Sequence, residues 1–325
     1  MRHSTPTIPV WQRFEIRRIE DLQNAFLGAS LDVVQMAGSP VRGSLAFAAR
    51  HGVVLSTGLI HGRISVRGVS SREGLTLGLG LRFGLGSRLW LNPVLAGQAC
   101  LLQPGQHCDA LFAGASLYVA VSLSAEKLER EAARAGLELD RDVMRHSGLH
   151  GRPLARQALI GLRGRIARIH RHAGLQDEAV GRDLLQALLE HYARHPDDAA
   201  CRLEPSARGR VVQLAREFIH AHLDGPLALE DIVRAAGTSR RTLARAFGEV
   251  LQDTPASYVR RLRLHAIRRE LMRGATAGRT ISQIAAAWGM GEAGRMAGTY
   301  HELFGEYPHD TQFRQAFRSR VTPFM

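Results

Sequence analysis

Arg240, Arg241, Thr242 and Arg245 fall within six residues and point outward on a helix, giving it a short cationic face. A guanidinium fork donates two parallel hydrogen bonds to a phosphate or to the O6 and N7 edge of guanine, so such a face suits nucleic-acid recognition. Leu243, Phe247 and Val250 point the other way, toward a core. Ser239 is placed to cap this helix. Just before it, Leu229 to Ala236 carries apolar residues at helical spacing, and Gly237 stops the run because glycine takes the positive φ of a tight turn. Helix, glycine turn and cationic helix make a helix-turn-helix unit whose second helix is about as wide as the DNA major groove.

The chain that must hold this unit has 325 residues, enough for two domains, and 45% hydrophobic content, ordinary for globular protein. No stretch approaches 18 uncharged apolar residues, so no membrane span is expected. The N-terminus has no apolar run before its charges, which argues against a secretory signal. Cys100, Cys108 and Cys201 are few, odd in number and scattered, which fits a reduced cytoplasmic setting better than a disulfide framework. Net charge is +13, and of 43 basic residues only Lys127 is a lysine. That balance suits nucleic acid, although a GC-rich genome would also write arginine for lysine.

Residues 1 to about 28 read as an arm and a short helix with Trp11, Phe14 and Ile16 as anchors. From Ser30 to Leu123 the period is two: Leu75, Leu77, Leu79, Leu81 and Phe83 alternate, as do Leu117, Val119, Val121 and Leu123. Glycines punctuate the region at hairpin-like intervals, so the expected fold is an antiparallel β-rich barrel or sandwich of half-buried strands. Beside the leucines, Thr76, Gly78, Gly80, Arg82 and Gly84 leave a face nearly bare of side chains. It either packs tightly against another backbone or lines a cavity, where Arg82 could meet an anion. Ser124 caps a helix to Ala135, and Pro153 is expected to open another with Leu154, Leu159, Leu162, Ile166 and Ile169 on one side. A third helix carries Leu184, Leu185, Leu188, Leu189 and Tyr192 as a seam. This helical pair could be core, a dimer surface, or both. His195 to Pro205 reads as a linker.

From Ser206 onward the period is helical, with 18 arginines against 11 carboxylates, a net of +7. Val211, Leu214, Ala215, Phe218 and Ile219 form the packing side of a lead-in helix. Thr254 and Pro255 start a long helix to about Arg273, and Thr280 with Gln283 makes a capping box for Ile281 to Trp288. Gly289 stops that helix, a second recognition-type helix runs from Ala293 to Phe304, and Pro308 opens a last helix containing Phe313 and Phe317. The helix-turn-helix pattern thus occurs twice, joined by a rod of roughly 28 Å. Successive major-groove faces lie about 34 Å apart, so one chain could seat both heads.

Here the chain resembles the AraC/XylS family of bacterial transcription regulators, over about 211–314. The resemblance rests on Ser239-Arg240-Arg241-Thr242-Leu243 leading to Phe247, Thr254-Pro255 with Tyr258, Arg263-Leu264, Ile284-Ala285, Gly289, Met296, Tyr300, Phe304-Gly305 and Pro308. It implies an α+β chain: a β-rich sensor domain at 1–123, a helical dimerisation and linker region at 124–204, and an all-α DNA-binding domain with two helix-turn-helix units at 205–325. It also implies an activator-type, ligand-responsive regulator that partners double-stranded DNA, RNA polymerase, a small-molecule effector and a second copy of itself. No cofactor is implied.

By the same resemblance, Arg241, Ala244 and Arg245 face bases, with Arg240 near phosphate and Thr242 beside them. In the second helix the matching positions are Ala293, Gly294, Arg295, Ala297 and Gly298, where the family usually carries polar side chains. Methionine also replaces aromatics at Met290 and Met296, and the run Ala293 to Gly298 is a poor helix former. The second head is therefore expected to supply phosphate contacts, from Arg295 and His301, and little base readout.

Two other readings compete. A metal-dependent cupin-like enzyme would want an H-x-H pair on a strand, but His170-Arg171-His172 falls in a helical stretch, and His107-Cys108-Asp109 has no partner at metal spacing. No nucleophile elbow, Walker-type or dinucleotide fingerprint is present. A protein-interaction adaptor that kept a degenerate DNA-binding fold is the other. Arg13 and Arg17 could clamp a phosphorylated or cyclic-dinucleotide ligand, or could simply be solvated residues one helical turn apart.

Overall fold

In a computed structural model the described residues are 11–313, apart from 25–28, 39, 140–143, 173–176, 195–204 and 274–277. Of the linker read at His195 to Pro205, residues 195–204 with Cys201 lie outside them, as does Phe317. The chain divides into two compact units, Met1–Val33 with Val41–Glu204, and Val34–Pro40 with Pro205–Met325.

The first unit is built on two sheets. Strands β1 (Gln12–Ile16), β3 (Arg42–Arg50), β4 (Val53–His61), β11 (Ala115–Leu123), β6 (Leu75–Arg82), β9 (Gln98–Leu102) and β12 (Gly148–Pro153) form a seven-stranded sheet in that order. Its neighbouring strands pair antiparallel. A five-stranded sheet runs β2 (Ser30–Gln35), β5 (Ile64–Val69), β10 (His107–Phe112), β7 (Arg88–Leu89) and β8 (Asn92–Pro93). One core lies between the sheets, where Phe47, Ile60 and Tyr118 meet Ile64, Val66 and Phe112. A second lies on the far face of the larger sheet. There Leu75, Leu77, Leu79 and Leu81 of β6 and Leu117, Val119, Val121 and Leu123 of β11 meet three helices, α1 (Ala125–Arg134), α2 (Arg156–Arg171) and α3 (Glu178–Arg194).

The central strands are therefore buried on both faces and not half-buried, as the alternation alone suggests. The intervening residues are small or aromatic: Ala120 and Tyr118 on β11 are buried beside the leucine face. The bare face of β6 is closed by tight packing. A Cβ on Gly80 would stand 1.9 Å from the ring of Phe83, and one on Gly78 would stand 2.7 Å from Sγ of Cys100. Arg82, at the strand end, is exposed.

Three local expectations need correction. Trp11, Phe14 and Ile16 sit on or beside strand β1, where Trp11 and Ile16 are buried and Phe14 is exposed, and only a 3-10 turn follows at Ile19–Asn24. Arg13 and Arg17 are thus on extended chain and not one helical turn apart. Arg13 Nε donates to the carbonyl of His170 at the end of α2, and both arginines pair with Glu15, Arg13 at 3.7 Å and Arg17 at 3.0 Å, so a carboxylate of the chain itself lies between them. Pro153 closes β12 instead of opening a helix; α2 starts at Arg156 behind Ala155, with no side-chain cap. The helical pair's apolar side, Leu162, Ile166 and Ile169 with Leu184, Leu188 and Tyr192, is buried in the core against the large sheet.

The second unit is helical: α4 (Ala207–Ala221), α5 (Leu229–Ala235), α6 (Arg240–Leu251), α7 (Pro255–Met272), α8 (Ile281–Ala287), α9 (Ala293–Phe304) and a further helical stretch at 308–313. On the lead-in helix α4 the buried face is Val212, Ala215, Arg216 and Ile219, while Leu214 is exposed. The apolar run is thus rotated by about one residue, because a buried arginine occupies a core position. Among the described residues no helix is long and apolar enough to cross a membrane.

Candidate nucleic-acid interface

The first head is α5, a turn, and α6. Gly237 takes a left-handed conformation (φ 58°), and the Thr238 amide donates back to the carbonyl of Val233, so the chain reverses in three residues. Ser239 caps α6 by accepting from the amide of Thr242. Leu243, Ala246, Phe247 and Val250 are buried, and Arg240, Arg241, Thr242, Ala244 and Arg245 are all exposed. Beneath them Phe247 packs edge-on against Tyr258 of α7. The Tyr258 hydroxyl accepts from Arg216 Nε at 3.1 Å and lies 3.0 Å from His220 Nε2. This buried polar anchor was not foreseen; its only trace in the sequence is an arginine at a core-facing step of α4.

Among these exposed arginines, Arg240 and Arg245 carry carboxylate partners. Arg240 pairs with Glu230, Arg245 with Glu249 at 3.0 Å, and Arg208 also reaches Glu249. The hydrogen bond from Arg245 holds the Glu249 carboxyl below its ordinary range, and the charge of Arg208 adds to this.

The rod α7 begins as expected, with Thr254 capping and Pro255 in the first turn. Gln252 is left-handed (φ 46°), and Asp253 binds Arg261 and the Thr254 amide, so the corner between α6 and α7 is pinned on both sides. The helix then runs unbroken for 18 residues, about 27 Å.

In the second head, the capping box of Thr280 and Gln283 is present and Gly289 is left-handed (φ 67°). Trp288 Nε1 donates to Glu270 at 2.9 Å, which fastens α8 to the rod. The recognition-type helix α9 forms despite its glycines because Met296, Tyr300 and Leu303 are buried against Leu264, Ile267 and Leu271 of α7. Ala293 opens α9. Gly294, Gly298 and His301 are exposed, with nothing within 4 Å of a Cβ on either glycine. Arg295 is exposed and lies 3.6 Å from Glu292. His301 stacks on Tyr307 at 4.4 Å, a partner the sequence reading did not supply.

A buried network holds the end of this head. Arg268 of α7 is almost wholly buried and donates to Glu306 at 2.7 Å. Tyr300 and Thr311 share a hydrogen bond of 2.8 Å, and Thr311 donates to Glu306.

Elsewhere the chemically suggestive residues serve structure. His170 is held between Ser44 and Thr57, Asp109 pairs with Arg67 at 3.5 Å, and Cys108 is a buried free thiol. No group of three or more metal-ligating side chains gathers among the described residues.

The second unit is therefore a double helix-turn-helix domain with two exposed recognition helices and one rod. The helix-turn-helix domain family model matches residues 232–316. A probable thc operon regulatory protein of Rhodococcus erythropolis is 32% identical over 108 residues, covering 33% of this chain and 32% of that one. A XylDLEGF operon transcriptional activator 1 of Pseudomonas putida is 26% identical over 223 residues, 66% of each chain. The crystal structure of a probable AraC family transcriptional regulator from Rhodopseudomonas palustris CGA009 is similar at 30% identity, covering 32% of this chain and 96% of that one, with a TM-score of 0.31. The helix-turn-helix part of the chain is thus of the AraC/XylS type. The match to the Rhodococcus relative spans about a third of that relative's length.

Proposed function

We propose that this chain is a sequence-specific DNA-binding transcriptional regulator, of the activator type, that works without catalysis. The observation that carries the reading is the pair of exposed recognition helices joined by an unbroken rod, with Arg241, Ala244 and Arg245 on the outer face of one and Arg295 on the other. The first head reads base edges from these residues, with Arg240 and Thr242 on the flanking phosphates. The second head contributes phosphate contacts from Arg295 and His301, since Gly294, Ala297 and Gly298 leave Ala293 to Gly298 with little to offer a base.

The division into a β-rich sensor at 1–123, a helical region at 124–204 and the DNA-binding domain at 205–325 belongs to the same proposal. So do a small-molecule effector, contact with RNA polymerase, a homodimer and residence in the cytoplasm on the nucleoid. The test is selection of binding sites from random double-stranded DNA, followed by gel shift at rising salt. A bipartite consensus with more information in one half, and affinity that falls steeply with salt, is expected. Absence of any enriched sequence would overturn it. The strip of small residues on α9 favours one alternative, an adaptor that docks a protein on this face, for which DNA affinity would be weak and alike for all sequences.

A further inference from the structure

Arg263, near the middle of the rod, touches the turn of the second head and the loop that leads into the first. Its Nη2 donates to the carbonyl oxygen of Gly225, in the loop leading into the first head, at 2.7 Å. Its Nη1 reaches the carbonyl oxygen of Gly289, in the turn of the second head, at 3.4 Å. A Cβ on Gly289 would stand 2.8 Å from Nη1 and 3.0 Å from Cζ, so the guanidinium lies against a turn that glycine alone leaves open. Its Nε is buried without a hydrogen-bond partner, and burial lowers its pKa from the ordinary arginine value.

Among the described residues its hydrogen bonds go to these two carbonyls and to no carboxylate. Drawing a cation partly out of water toward neutral acceptors is a poor way to gain stability, so what the arrangement secures is geometry. Around it lies an open groove of about 520 Å³, lined by Leu229 and Ile232 of the first head, Arg260 of the rod, and Met290 and Met296 of the second. Where the heads leave this groove between them, the fork of Arg263 ties one to the other. A planar guanidinium can hold two acceptors at a fixed separation, whereas a lysine ammonium keeps the charge and loses the fork.

We propose that Arg263 is a positioning residue that sets the spacing between the two half-sites this chain reads. The inference rests on the DNA-reading function proposed above. Inserting one base pair between half-sites shifts and rotates the second by about a tenth of a turn. Heads held rigidly must then strain or release one contact set, so the penalty should match a lost base contact, at least about tenfold.

The experiment measures affinity for a selected bipartite operator and for versions with one or two base pairs inserted or deleted, using the full chain, Arg263→Ala and Arg263→Lys. Separately, without DNA, it measures the distance distribution between spin labels on Arg234→Cys and Ser282→Cys in a Cys201→Ser background. Burial pushes the Cys100 thiol up to about 12 and raises that of Cys108 too, so neither should take label. For Arg263→Ala the spacing penalty should fall below about threefold, affinity for an isolated first half-site should be unchanged, and the label distances should broaden; Arg263→Lys should lie between. An unchanged spacing profile with unchanged distances overturns the proposal. So does equal loss on the bipartite operator and the isolated half-site, which would mark a merely structural residue. If the parent chain prefers no bipartite DNA but the distances broaden, the tie stands and the DNA reading fails. Should Arg263→Ala not fold, Arg263→Lys decides by the same two readouts.

Discussion

Ser44 Oγ lies 2.7 Å from Nδ1 of His170, and Thr57 Oγ1 lies 3.1 Å from its Nε2, so this imidazole is clasped by two strands of the large sheet from within helix α2. Burial, reinforced by the charge of Arg13, pushes the His170 pKa down from 6.5 to about 4. Between those values the unfolded chain binds a proton that the folded chain refuses, so stability is lost as pH falls through that window. The shift corresponds to a loss of about 3 kcal/mol across the window. Hydrogen exchange of the β3–β4 amides at pH 7 and pH 4.5 should show this decline in the parent chain, and His170→Gln should flatten it. An equal slope in both would remove His170 from the account.

Arg245→Ala and Arg295→Ala should differ in kind. Loss of Arg245 should cost about 1–3 kcal/mol on the selected operator and relax one base position, whereas loss of Arg295 should weaken every sequence alike and lower the salt slope by about one. Repeating the site selection with each variant checks this. Equal information in both half-sites of the parent chain would contradict the assignment of base reading to the first head.

Glu306→Ala should be among the most damaging single changes in the helical unit. It leaves the buried guanidinium of Arg268 without its carboxylate, an uncompensated charge worth about 3–5 kcal/mol. Chemical denaturation followed by far-UV circular dichroism measures the loss. Arg268→Met combined with Glu306→Leu should recover much of it, since removing both charges removes the penalty.

Gly80→Ala tests the packing on the bare face of β6. The new methyl would meet the Phe83 ring, and overpacking of this kind costs about 1–3 kcal/mol. In a Phe83→Leu background the cost should shrink, and thermal melts of the four chains of this double-mutant cycle read the coupling. Additive effects would mean the ring is free to move aside.

The caps and turns of the helical unit were legible because each is set by a local rule: Ser239, Thr254 and Thr280 accept from the expected amides, and Gly237 and Gly289 take the expected positive φ. The alternating leucines of β6 and β11 likewise announced strands. That these strands are buried on both sides was not legible, because periodicity reports one face and is silent about what covers the other. Arg13 and Arg17 were misread because a five-residue strand has too few residues to declare its period. The inward turn of Arg216 and the fork of Arg263 depend on partners that folding brings from far along the chain, and no spacing rule encodes them. The resemblance named Arg263 as a matching position without saying what it does.

The carboxylates that answer Arg240, Arg245 and Arg295 from within the chain have one more consequence. A random stretch of genome offers phosphates to arginines that already have Glu230, Glu249 and Glu292 beside them, so each encounter begins as a displacement and not as a simple attraction. Matching bases supply contacts that a carboxylate cannot imitate. Glu249, beside the base-reading Arg245, should therefore shorten dwell on wrong DNA more than on the target, trading grip for search speed, and Glu249→Gln should be slower to leave non-cognate DNA in single-molecule tracking.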